Sequence, residues 1–352
     1  MEELINKDIQ IAETIPSEYY VDRDIFENIK NKIVNMWHFS AHEDQLSENN
    51  IVPIRHSKEL MGEAIQLTRE KVIKSLSNVC THRGMIINNE PSNSKTMRCN
   101  YHGRTFDLSG NFKNMPKFEE VKNFPRGSDD LIDFSTVRWK GLIFTSTKKT
   151  KLPSWIKVLE DRIGWMRIED FTHDTNYYKK YDVKANWALY VDNYLEGFHI
   201  PYVHSDLNEI LSYEDYETEI FEGGVLQIGI AKEGENAFQI PENSKDFGKR
   251  IAAYYFWIFP GLMLNFYPWG LSVNLVIPIS VDRTKIIYQR YIDNPSLIEE
   301  GAGGDLDKVE KEDRNIVEAV QIGMSSSSYI RGRYSPSMEK GVHHFHRILT
   351  NI

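Results

Sequence analysis

The spacing of apolar residues divides the chain into stretches of different periodicity. Between residues 20 and 37, apolar side chains recur at helical intervals, which predicts a lead-in helix (Phe26, Ile29, Ile33, Met36 and Trp37). From residue 38 to 147 the pattern changes to short runs of β character separated by turn signals (65–69, 71–76 and 141–145, with a turn at 107–110). This second stretch is typical of a small all-β domain.

The remaining sequence mixes helical and strand patterns. A polar joint around Pro153 leads into it, and helical periodicity then covers residues 186–200 and 306–322. Aromatic-rich strand patterns lie between these two helices (225–230, 252–259, 271–279 and 285–291). Because the strands are grouped rather than alternating with helices, the pattern predicts an α+β fold with an antiparallel sheet. The run Gly301-Ala-Gly-Gly304 is predicted to be a flexible linker or loop tip.

Length, charge and hydropathy narrow the classes of protein. A chain of 352 residues exceeds the usual size of one domain, and its net charge of -9 argues against nucleic-acid binding. The most apolar stretch, 251–271, is interrupted by prolines and glycines, so it predicts two buried strands rather than a membrane span. The first ten residues lack the apolar core of a secretory leader, and the chain has two cysteines. We expect a cytoplasmic protein that binds neither nucleic acid nor membrane.

Both cysteines of the chain belong to one short pattern. Cys80-Thr-His82 is followed, after sixteen residues, by Cys99-Asn-Tyr-His102. Two thiolates and two imidazoles are the ligands of a Rieske [2Fe–2S] cluster, in which one iron takes two Cys and the other takes two His. The pattern therefore predicts one-electron chemistry.

Structural zinc and a disulfide are the alternatives for the same four residues. Zinc fingers usually keep their cysteines together and their histidines together, whereas each pair here is mixed. Gly84 and Gly103 follow the two pairs and let loop backbone approach the sulfides, where N–H groups tune the cluster potential. These features favour the cluster.

A second group of polar residues lies in the predicted helix over 186–200. Asp192, Glu196 and His199 are spaced i, i+4 and i+7, which predicts one helical face, and Asn193 lies beside them. Pro201 prevents regular continuation of the helix, so His204 can fold back towards His199. Two imidazoles and one carboxylate form the facial triad of non-haem Fe(II) sites. The alternative is a helix with two incidental histidines.

The carboxylate of such a triad is predicted by a break in an apolar stripe. Leu306, Val309, Ile316 and Val320 follow the spacing of a buried helix face, and position 313, which completes it, is Asp. A core-facing aspartate must be paired or bound to metal, because its desolvation is otherwise costly. Asp313 is therefore the predicted ligand. Glu312 is the fallback ligand, and a buried salt bridge to Arg331 or Arg333 is the alternative.

Together these segments resemble the oxygenase α subunit of Rieske non-haem iron oxygenases. The similarity rests on the two Cys/His pairs, on the segment Asp192-Asn-Tyr-Leu-Glu-Gly-Phe-His199 with His204, and on the C-terminal pattern (Glu312-Asp313, Val320-Gln321-Ile-Gly323 and Gly341-Val-His-His-Phe-His346). It covers nearly the whole chain and is greatest for the choline and carnitine monooxygenase-like branch. One departure is Arg104, where members commonly carry Trp, a change expected to affect cluster exposure or reductase docking.

The resemblance implies three segments and two metal centres. These are a lead-in segment (1–37) on the catalytic domain, an all-β Rieske domain (38–150) and a helix-grip catalytic domain (151–352), a curved antiparallel sheet with helices. It assigns the cluster to Cys80, His82, Cys99 and His102, and Fe(II) to His199, His204 and Asp313. Asp192, Asn193 and Glu196 become catalytic candidates. Glu196 takes the bridging position between His199 and a neighbouring subunit's His102, which implies a homotrimer.

The implied activity is hydroxylation of a small molecule with O₂ and electrons from a separate NAD(P)H-dependent reductase, alone or with a ferredoxin. Glu at the bridging position resembles the carnitine-type enzymes and favours a quaternary ammonium or N-methyl substrate. Such a cation suits an aromatic cage, for which the candidates are Tyr202, Tyr255, Trp257, Phe266, Tyr267 and Trp269. Aromatic-ring dihydroxylation and a non-catalytic Rieske electron carrier are the alternatives.

Overall fold

The chain divides into two compact units in the computed structural model, which describes residues 4–298 and 300–352. Val34–Pro153 form the first, called here the β unit, and the residues up to Ile33 together with Ser154–Ile352 form the second, the α+β unit. The segment limits predicted after residues 37 and 150 stay predictions.

Two helices open the α+β unit. They are α1 (Glu18–Val21) and α2 (Arg23–Ile33), and α2 buries Phe26 and Ile29 on one face, as the periodicity predicts. The expectation that the helix reaches Trp37 was wrong. After Ile33 the chain turns, and the carbonyl of Asn35 accepts a hydrogen bond from Ser146 Oγ at 2.9 Å.

The β unit contains two antiparallel sheets and one short helix. Its elements are β1 (His38–His42), β2 (Ile51–Ile54), α3 (Ser57–Met61), β3 (Ile65–Arg69), β4 (Ile73–Ser77), β5 (Thr96–Arg98), β6 (Thr105–Asp107), β7 (Phe112–Asn114), β8 (Asp133–Trp139) and β9 (Leu142–Ser146). The larger sheet has the order β1-β9-β8-β4-β3-β2, and β5-β6-β7 form the smaller one. Both cysteines lie in an apolar cluster with residues of both sheets, among them Leu76 and Phe106. The Cys/His pairs are therefore anchored in the core of this unit.

A seven-stranded antiparallel sheet forms the centre of the α+β unit. Its elements after Ser154 are α4 (Trp155–Ile163), β10 (Thr172–Val183), α5 (Trp187–Tyr194), α6 (Ile200–Val203), α7 (Ser205–Ile210), β11 (Glu217–Phe221), β12 (Gly224–Ile230), β13 (Ile251–Ile258), β14 (Leu262–Tyr267), β15 (Gly270–Ser280), β16 (Arg283–Ile292), α8 (Leu306–Met324) and α9 (Lys340–Leu349). The strand order is β10-β16-β15-β14-β13-β12-β11. Helix α5 packs on β15, and the long helix α8 packs on α5 and β10.

This architecture is the predicted α+β fold, with strands grouped between helices. Strands β13 and β14 occupy the apolar stretch 251–271, where buried strands were predicted. Among the described residues, no helix combines the length and hydropathy needed to cross a membrane. The predicted flexible tip at Gly301 is instead a short 3₁₀ turn, and Gly303 in it is buried against Tyr267 and Trp269, where a Cβ atom would meet Trp269 Nε1 at 2.4 Å. The glycine there serves close packing rather than flexibility.

Candidate metal centres and substrate cavity

The two Cys/His pairs of the β unit lie on loops with the same backbone hydrogen bond. In each loop the cysteine carbonyl accepts from the N–H of the glycine four residues later, at 2.9 Å from Gly84 to Cys80 and at 3.0 Å from Gly103 to Cys99. Both glycines have positive φ angles, +72° and +78°, which residues with a Cβ rarely adopt. These glycines therefore fix two matched loops.

In these loops the two cysteine side chains contact each other, and so do the two histidine side chains. Cys80 and Cys99 are buried free thiols that contact each other, and burial raises the pKa of Cys80. The Nδ1 atoms of His82 and His102 lie 3.2 Å apart. Within the described residues, the four groups do not gather around one point as a tetrahedral zinc requires. Two sulfurs on one side and two nitrogens on the other fit the two irons of a Rieske cluster.

Arg104 lies in the core of the β unit rather than on its surface. Its guanidinium pairs with Asp129 at 2.7 Å and lies over the rings of Phe112 and Phe124, at 4.9 and 5.5 Å from their centroids. The residue is 2% exposed. It therefore has no surface with which to contact a docking protein, and its nearby charge acts to lower the pKa of the Cys80 thiol against the larger effect of burial.

Three predicted ligands meet in the α+β unit. The Nε2 atoms of His199 and His204 lie 3.2 Å apart, and Asp313 Oδ1 lies 3.6 and 3.0 Å from them. One ligand atom from each residue falls within 4.8 Å of the others. Two imidazoles and one carboxylate on one side of a metal leave the other positions open, which is the donor set of non-haem iron oxygenases.

A carboxylate contacts the Nδ1 atom of each histidine, on the side of the ring away from the triad. Glu196 Oε1 lies 2.7 Å from His199 Nδ1, and Glu312 Oε2 lies 2.7 Å from His204 Nδ1. Such contacts fix the ring orientation and direct Nε2 towards the metal. Glu312, the fallback ligand of the prediction, thus contacts His204 rather than the centre of the triad. Asn193 Nδ2 donates to Asp313 Oδ1 at 2.7 Å and orients the third ligand.

The predicted single helical face across Asp192, Glu196 and His199 was wrong. Helix α5 is capped at its start by Asn186, whose Oδ1 accepts from Ala188 N–H, but it ends at Tyr194. Gly197 follows in a turn, where a Cβ atom would lie 3.0 Å from the Tyr216 ring. Glu196 and His199 are therefore placed by this turn, and Pro201 lies in the first turn of the short helix α6 that follows it.

Asp192 lies in a different hydrogen-bond network from Glu196. Tyr20 O–H donates to Asp192 Oδ2 at 2.7 Å, and His346 Nε2 lies 2.8 Å from Asp192 Oδ1. Tyr334 O–H in turn contacts His346 Nδ1 at 2.6 Å. Asp192 does not line the cavity at the triad.

The structure brings Asp313 to the two histidines, but only part of the apolar stripe that selected it faces inward: Leu306 and Val309 line the same cavity as Asp313. Ile316 and Val320 are 40% and 38% exposed, whereas Glu310 and Val317 are buried. The inward face of α8 thus combines apolar residues with the acids Glu310 and Asp313. The alternative partners are excluded, because Arg331 and Arg333 donate to backbone carbonyls of the N-terminal segment (Thr14 and Ala12 among them).

The triad opens onto a cavity whose aromatic lining consists of tyrosines. Among the described residues these are Tyr190, Tyr194, Tyr216, Tyr255, Tyr267 and Tyr288. Only Tyr255 and Tyr267 of the six predicted cage residues are among them. Tyr202 is 82% exposed, and the other three pack in the core (Trp257, Phe266 and Trp269). Since side chains alternate along a strand, Phe266 faces away from Tyr267.

Sequence reasoning missed the polar lining of the cavity. Gln227, Asn265 and Asn274 lie in the middle of buried strands and line it. Tyr194 O–H donates to Asn265 Oδ1 at 2.6 Å. An amide in an otherwise apolar strand was the available signal, because a buried polar side chain must satisfy its hydrogen bonds.

Glu310 is a further buried acid that sequence reasoning missed. It is 1% exposed, and its Oε2 accepts hydrogen bonds from the hydroxyls of Tyr190 and Tyr288, the latter at 2.7 Å. Burial raises the pKa of Glu310 to about 7. The acid lies directly behind two phenols of the cavity wall.

Comparisons with known proteins agree with both metal centres. The family model "Ring hydroxylating alpha subunit (catalytic domain)" matches residues 171–352, and the model "Rieske [2Fe-2S] domain" matches residues 36–125. The chain belongs to the family of ring-hydroxylating alpha subunits. It is a Rieske-type non-haem iron oxygenase with a [2Fe–2S] Rieske cluster and a mononuclear iron, so the alternative of a non-catalytic electron carrier is wrong.

Two curated relatives cover almost the whole chain. The carnitine monooxygenase oxygenase subunit of Escherichia coli (strain K12) is 30% identical over 97% of this chain and 94% of its own length. The chloroplastic choline monooxygenase of Arabidopsis thaliana is 27% identical over 97% of this chain and 83% of its own length. The predicted resemblance to this branch is confirmed.

Solved structures share the fold. The quaternary ammonium Rieske monooxygenase CntA in complex with L-carnitine superposes with a TM-score of 0.80 at 22% identity, over 100% of this chain and 98% of that chain. A naphthalene 1,2-dioxygenase from Rhodococcus sp. bound to indole gives a TM-score of 0.73 at 19% identity, over 96% and 93% of the two chains. The predicted combination of a Rieske domain and a helix-and-sheet catalytic domain is confirmed.

Proposed function

We propose that this chain is the terminal oxygenase component that hydroxylates a quaternary ammonium or N-methyl compound with O₂ and reductase-supplied electrons. The observation that carries this proposal is the tyrosine-lined cavity at His199, His204 and Asp313. Aromatic faces bind quaternary ammonium groups without hydrogen bonds. The relatives named as carnitine and choline monooxygenases support the same substrate class.

The polar character of the cavity favours this substrate over an aromatic hydrocarbon. Phenol hydroxyls and the amides of Gln227, Asn265 and Asn274 line it beside the triad. A ring without polar groups would leave such buried donors and acceptors unsatisfied, which is costly. Aromatic-ring dihydroxylation is therefore the weaker alternative.

The metal-binding roles follow from the donor groups. In this proposal, the cluster is held by Cys80, His82, Cys99 and His102, and the mononuclear iron is held by His199, His204 and Asp313. The chemistry supplied there is one-electron storage at the cluster and O₂ activation at the iron. Glu312 accepts the proton at His204 Nδ1, which leaves Nε2 as the nitrogen that faces the iron, and Asn193 orients Asp313.

Glu196 is proposed to link the two kinds of centre. Its Oε1 accepts from His199 Nδ1, and its Oε2 accepts from the His199 backbone N–H at 3.0 Å. The side chain keeps 15% of its surface exposed, which leaves room for a contact with His102 of a neighbouring subunit. Asp192 is proposed to support the same turn through its contacts at the end of α5. Replacing Glu196 by Gln is expected to retain both metals and nearly abolish turnover, and coupled turnover in that variant would contradict the bridge.

Assembly, electron supply and location belong to the same proposal. A homotrimer would bring Glu196 of one protomer to the cluster of the next, and a separate NAD(P)H-dependent reductase, alone or with a ferredoxin, would load the cluster. Catalysis in the cytoplasm fits two free thiols in the chain. Light scattering of the purified protein tests the trimer, and a protomer mass in a fully active preparation would reject it.

Oxygen uptake tests the activity itself. The iron-loaded protein with a reductase is supplied with quaternary ammonium compounds or with aromatic acids, and products are identified by mass spectrometry. We expect uptake with the ammonium compounds, giving a hydroxylated product or, for an N-methyl carbon, formaldehyde and the demethylated amine. Dihydrodiols from the aromatic acids, with no turnover of amines, would instead support the dioxygenase alternative.

A further inference from the structure

The cavity lining contains acidic side chains but no lysine or arginine among the described residues. Its ionisable side chains other than tyrosine are Glu196, His199, His204 and Asp313, and no Lys or Arg is among the described residues that line it. The adjoining smaller cavity has Lys308 in its wall, but this ammonium pairs with Asp206. A substrate carboxylate in the cavity would thus meet no cationic side chain among these residues, and apart from the iron it would be buried without a counter-charge, which is unfavourable.

The phenols of the cavity wall add to this preference. Tyr190 and Tyr288 direct their hydroxyl protons to Glu310, and Tyr194 directs its own to Asn265. The oxygens of these three phenols, among the six of the cavity wall, therefore present lone pairs to the cavity, with an acid behind two of them. Lone pairs and ring faces attract an ammonium group and repel a carboxylate.

One lining atom lacks a partner inside the protein. Gln227 Nε2 donates to the Tyr194 carbonyl at 2.7 Å, whereas Gln227 Oε1 is buried without a hydrogen bond. An unsatisfied buried acceptor is costly and is suited to a donor on the ligand. The neutral amides of Asn265 and Asn274 also line the cavity, but they supply no charge to offset an anion.

From these observations we propose that the cavity takes a quaternary ammonium alcohol without a carboxylate, of the choline type, and discriminates against betaine-type zwitterions. In this proposal Gln227 Oε1 accepts a hydrogen bond from the substrate hydroxyl, and the tyrosine rings surround the ammonium group. This inference rests on the proposed function, because it specifies which quaternary ammonium compounds the same site accepts.

Calorimetric binding to the iron-loaded enzyme tests the charge preference. The ligands are choline, L-carnitine and gamma-butyrobetaine, and the same set is assayed for reductase-dependent turnover. Choline is expected to bind about a hundredfold more tightly than either zwitterion, because the described residues of the cavity wall offer no cationic side chain to the carboxylate of a zwitterion. Equal or tighter binding of the zwitterions overturns the inference and leaves the proposed function standing. If all three fail to bind or turn over, the proposed function itself is wrong, and the inference falls with it.

A variant tests the role of Gln227. Ethyltrimethylammonium, which is choline without its hydroxyl, is expected to bind the wild type about tenfold more weakly. In Gln227→Met, a substitution of similar volume, the two ligands should bind equally. The melting temperature, iron content and visible spectrum of the variant establish that it is folded and loaded. Retention of the tenfold preference in a loaded variant rejects Gln227 as the hydroxyl acceptor.

Discussion

The β unit and the α+β unit hold their histidines by different means. In the β unit, His82 and His102 belong to short loops closed by backbone hydrogen bonds, and their Nδ1 atoms face each other. In the α+β unit, His199 and His204 present Nε2 instead, because carboxylates occupy Nδ1 on both rings. Backbone geometry orients the first pair, and acidic side chains orient the second.

This difference has an electrostatic consequence. Asp313, Glu196 and Glu312 surround the second pair, so this site concentrates negative charge where a divalent ion is to bind. The first pair has cationic neighbours, Arg83 and Arg104, and burial together with His102 and these charges lowers the pKa of His82. The two centres should therefore respond differently to loss of a carboxylate and to pH.

The largest expected effect is selective loss of one metal. Asp313→Ala removes the only carboxylate of the triad, so iron should fall from about three to about two atoms per chain while the visible spectrum of the cluster persists. Turnover should fall by about a thousandfold or more, since O₂ activation needs the mononuclear iron. Metal analysis and oxygen uptake measure both.

Glu209→Ala, at an exposed carboxylate of α7, is the control and should keep all iron. Cys99→Ser should produce the reverse pattern, with the cluster lost and one iron retained. If Asp313→Ala also bleached the cluster, the two centres would not be independent.

Loss of the Glu312 carboxylate, which contacts His204, should have an intermediate effect on iron affinity. Glu312→Gln leaves the triad intact but weakens the contact with His204 Nδ1, so affinity for Fe(II) should fall about ten- to a hundredfold. A competition titration of metal-stripped protein measures it, with Glu209→Gln as the matched control. An unchanged dissociation constant would mean that Glu312 does not orient His204.

Metal retention should depend on pH differently in the β unit and in the α+β unit. Burial acts to lower the pKa of His204, but Asp313 and Glu312 outweigh it, and the pKa is raised above its ordinary 6.5. In metal-free protein, protonated His204 thus adds stability below pH 6.5 that is lost as pH rises through the raised pKa. Because iron needs neutral imidazole, affinity should rise with pH over this window and then level off.

Titrations of the metal-stripped α+β site between pH 6 and pH 8.5, about the range in which histidine changes its charge, measure this rise. Glu312→Gln should move the plateau to lower pH. Cluster retention in the β unit should stay flat over the same window, because the pKa of His82 is lowered. A flat iron affinity in the α+β site would show that His204 is already neutral.

The smallest expected effect on iron affinity comes from removing the hydrogen bond between Asn193 and Asp313. Asn193→Ala removes the hydrogen bond to Asp313 Oδ1, worth about 1 kcal/mol, so iron affinity should fall about fivefold. Asn315→Ala, at an exposed position of the same helix as Asp313, is the control. A loss as large as that of Glu312→Gln would place Asn193 among the main determinants of the site.

The sequence predicted a site most readily where its residues lie close together along the chain. The four predicted cluster residues lie within 23 consecutive positions, from Cys80 to His102, so their spacing alone was enough to propose them. Asp313 lies more than a hundred residues from His204, and its selection from an apolar stripe assumed that Ile316 and Val320 point inward. Helical periodicity cannot distinguish an apolar face from the buried face when the buried face carries polar groups.

The cavity was predicted least well, because its lining depends on which face of each strand points inward. Aromatic content nominated Trp257 and Phe266, whereas the fold selects Tyr194 and Tyr216 from segments outside β13 and β14. The central α+β sheet itself was predictable, since its strands carry long buried runs. Side-chain direction became known only with the register of the sheet.

The contact between Gly197 and Tyr216 limits how this enzyme can be redesigned. Tyr216 lines the cavity, and its ring lies where a Cβ atom of Gly197 would touch it, in the turn that carries Glu196 and His199. A smaller residue at 216 would enlarge the cavity but remove the support of that turn and of His199, the proposed iron ligand in it. Tyr255 and Tyr267 lie on neighbouring strands with backbone pairing on both sides. Substrate scope is therefore better altered from the sheet than from the turn.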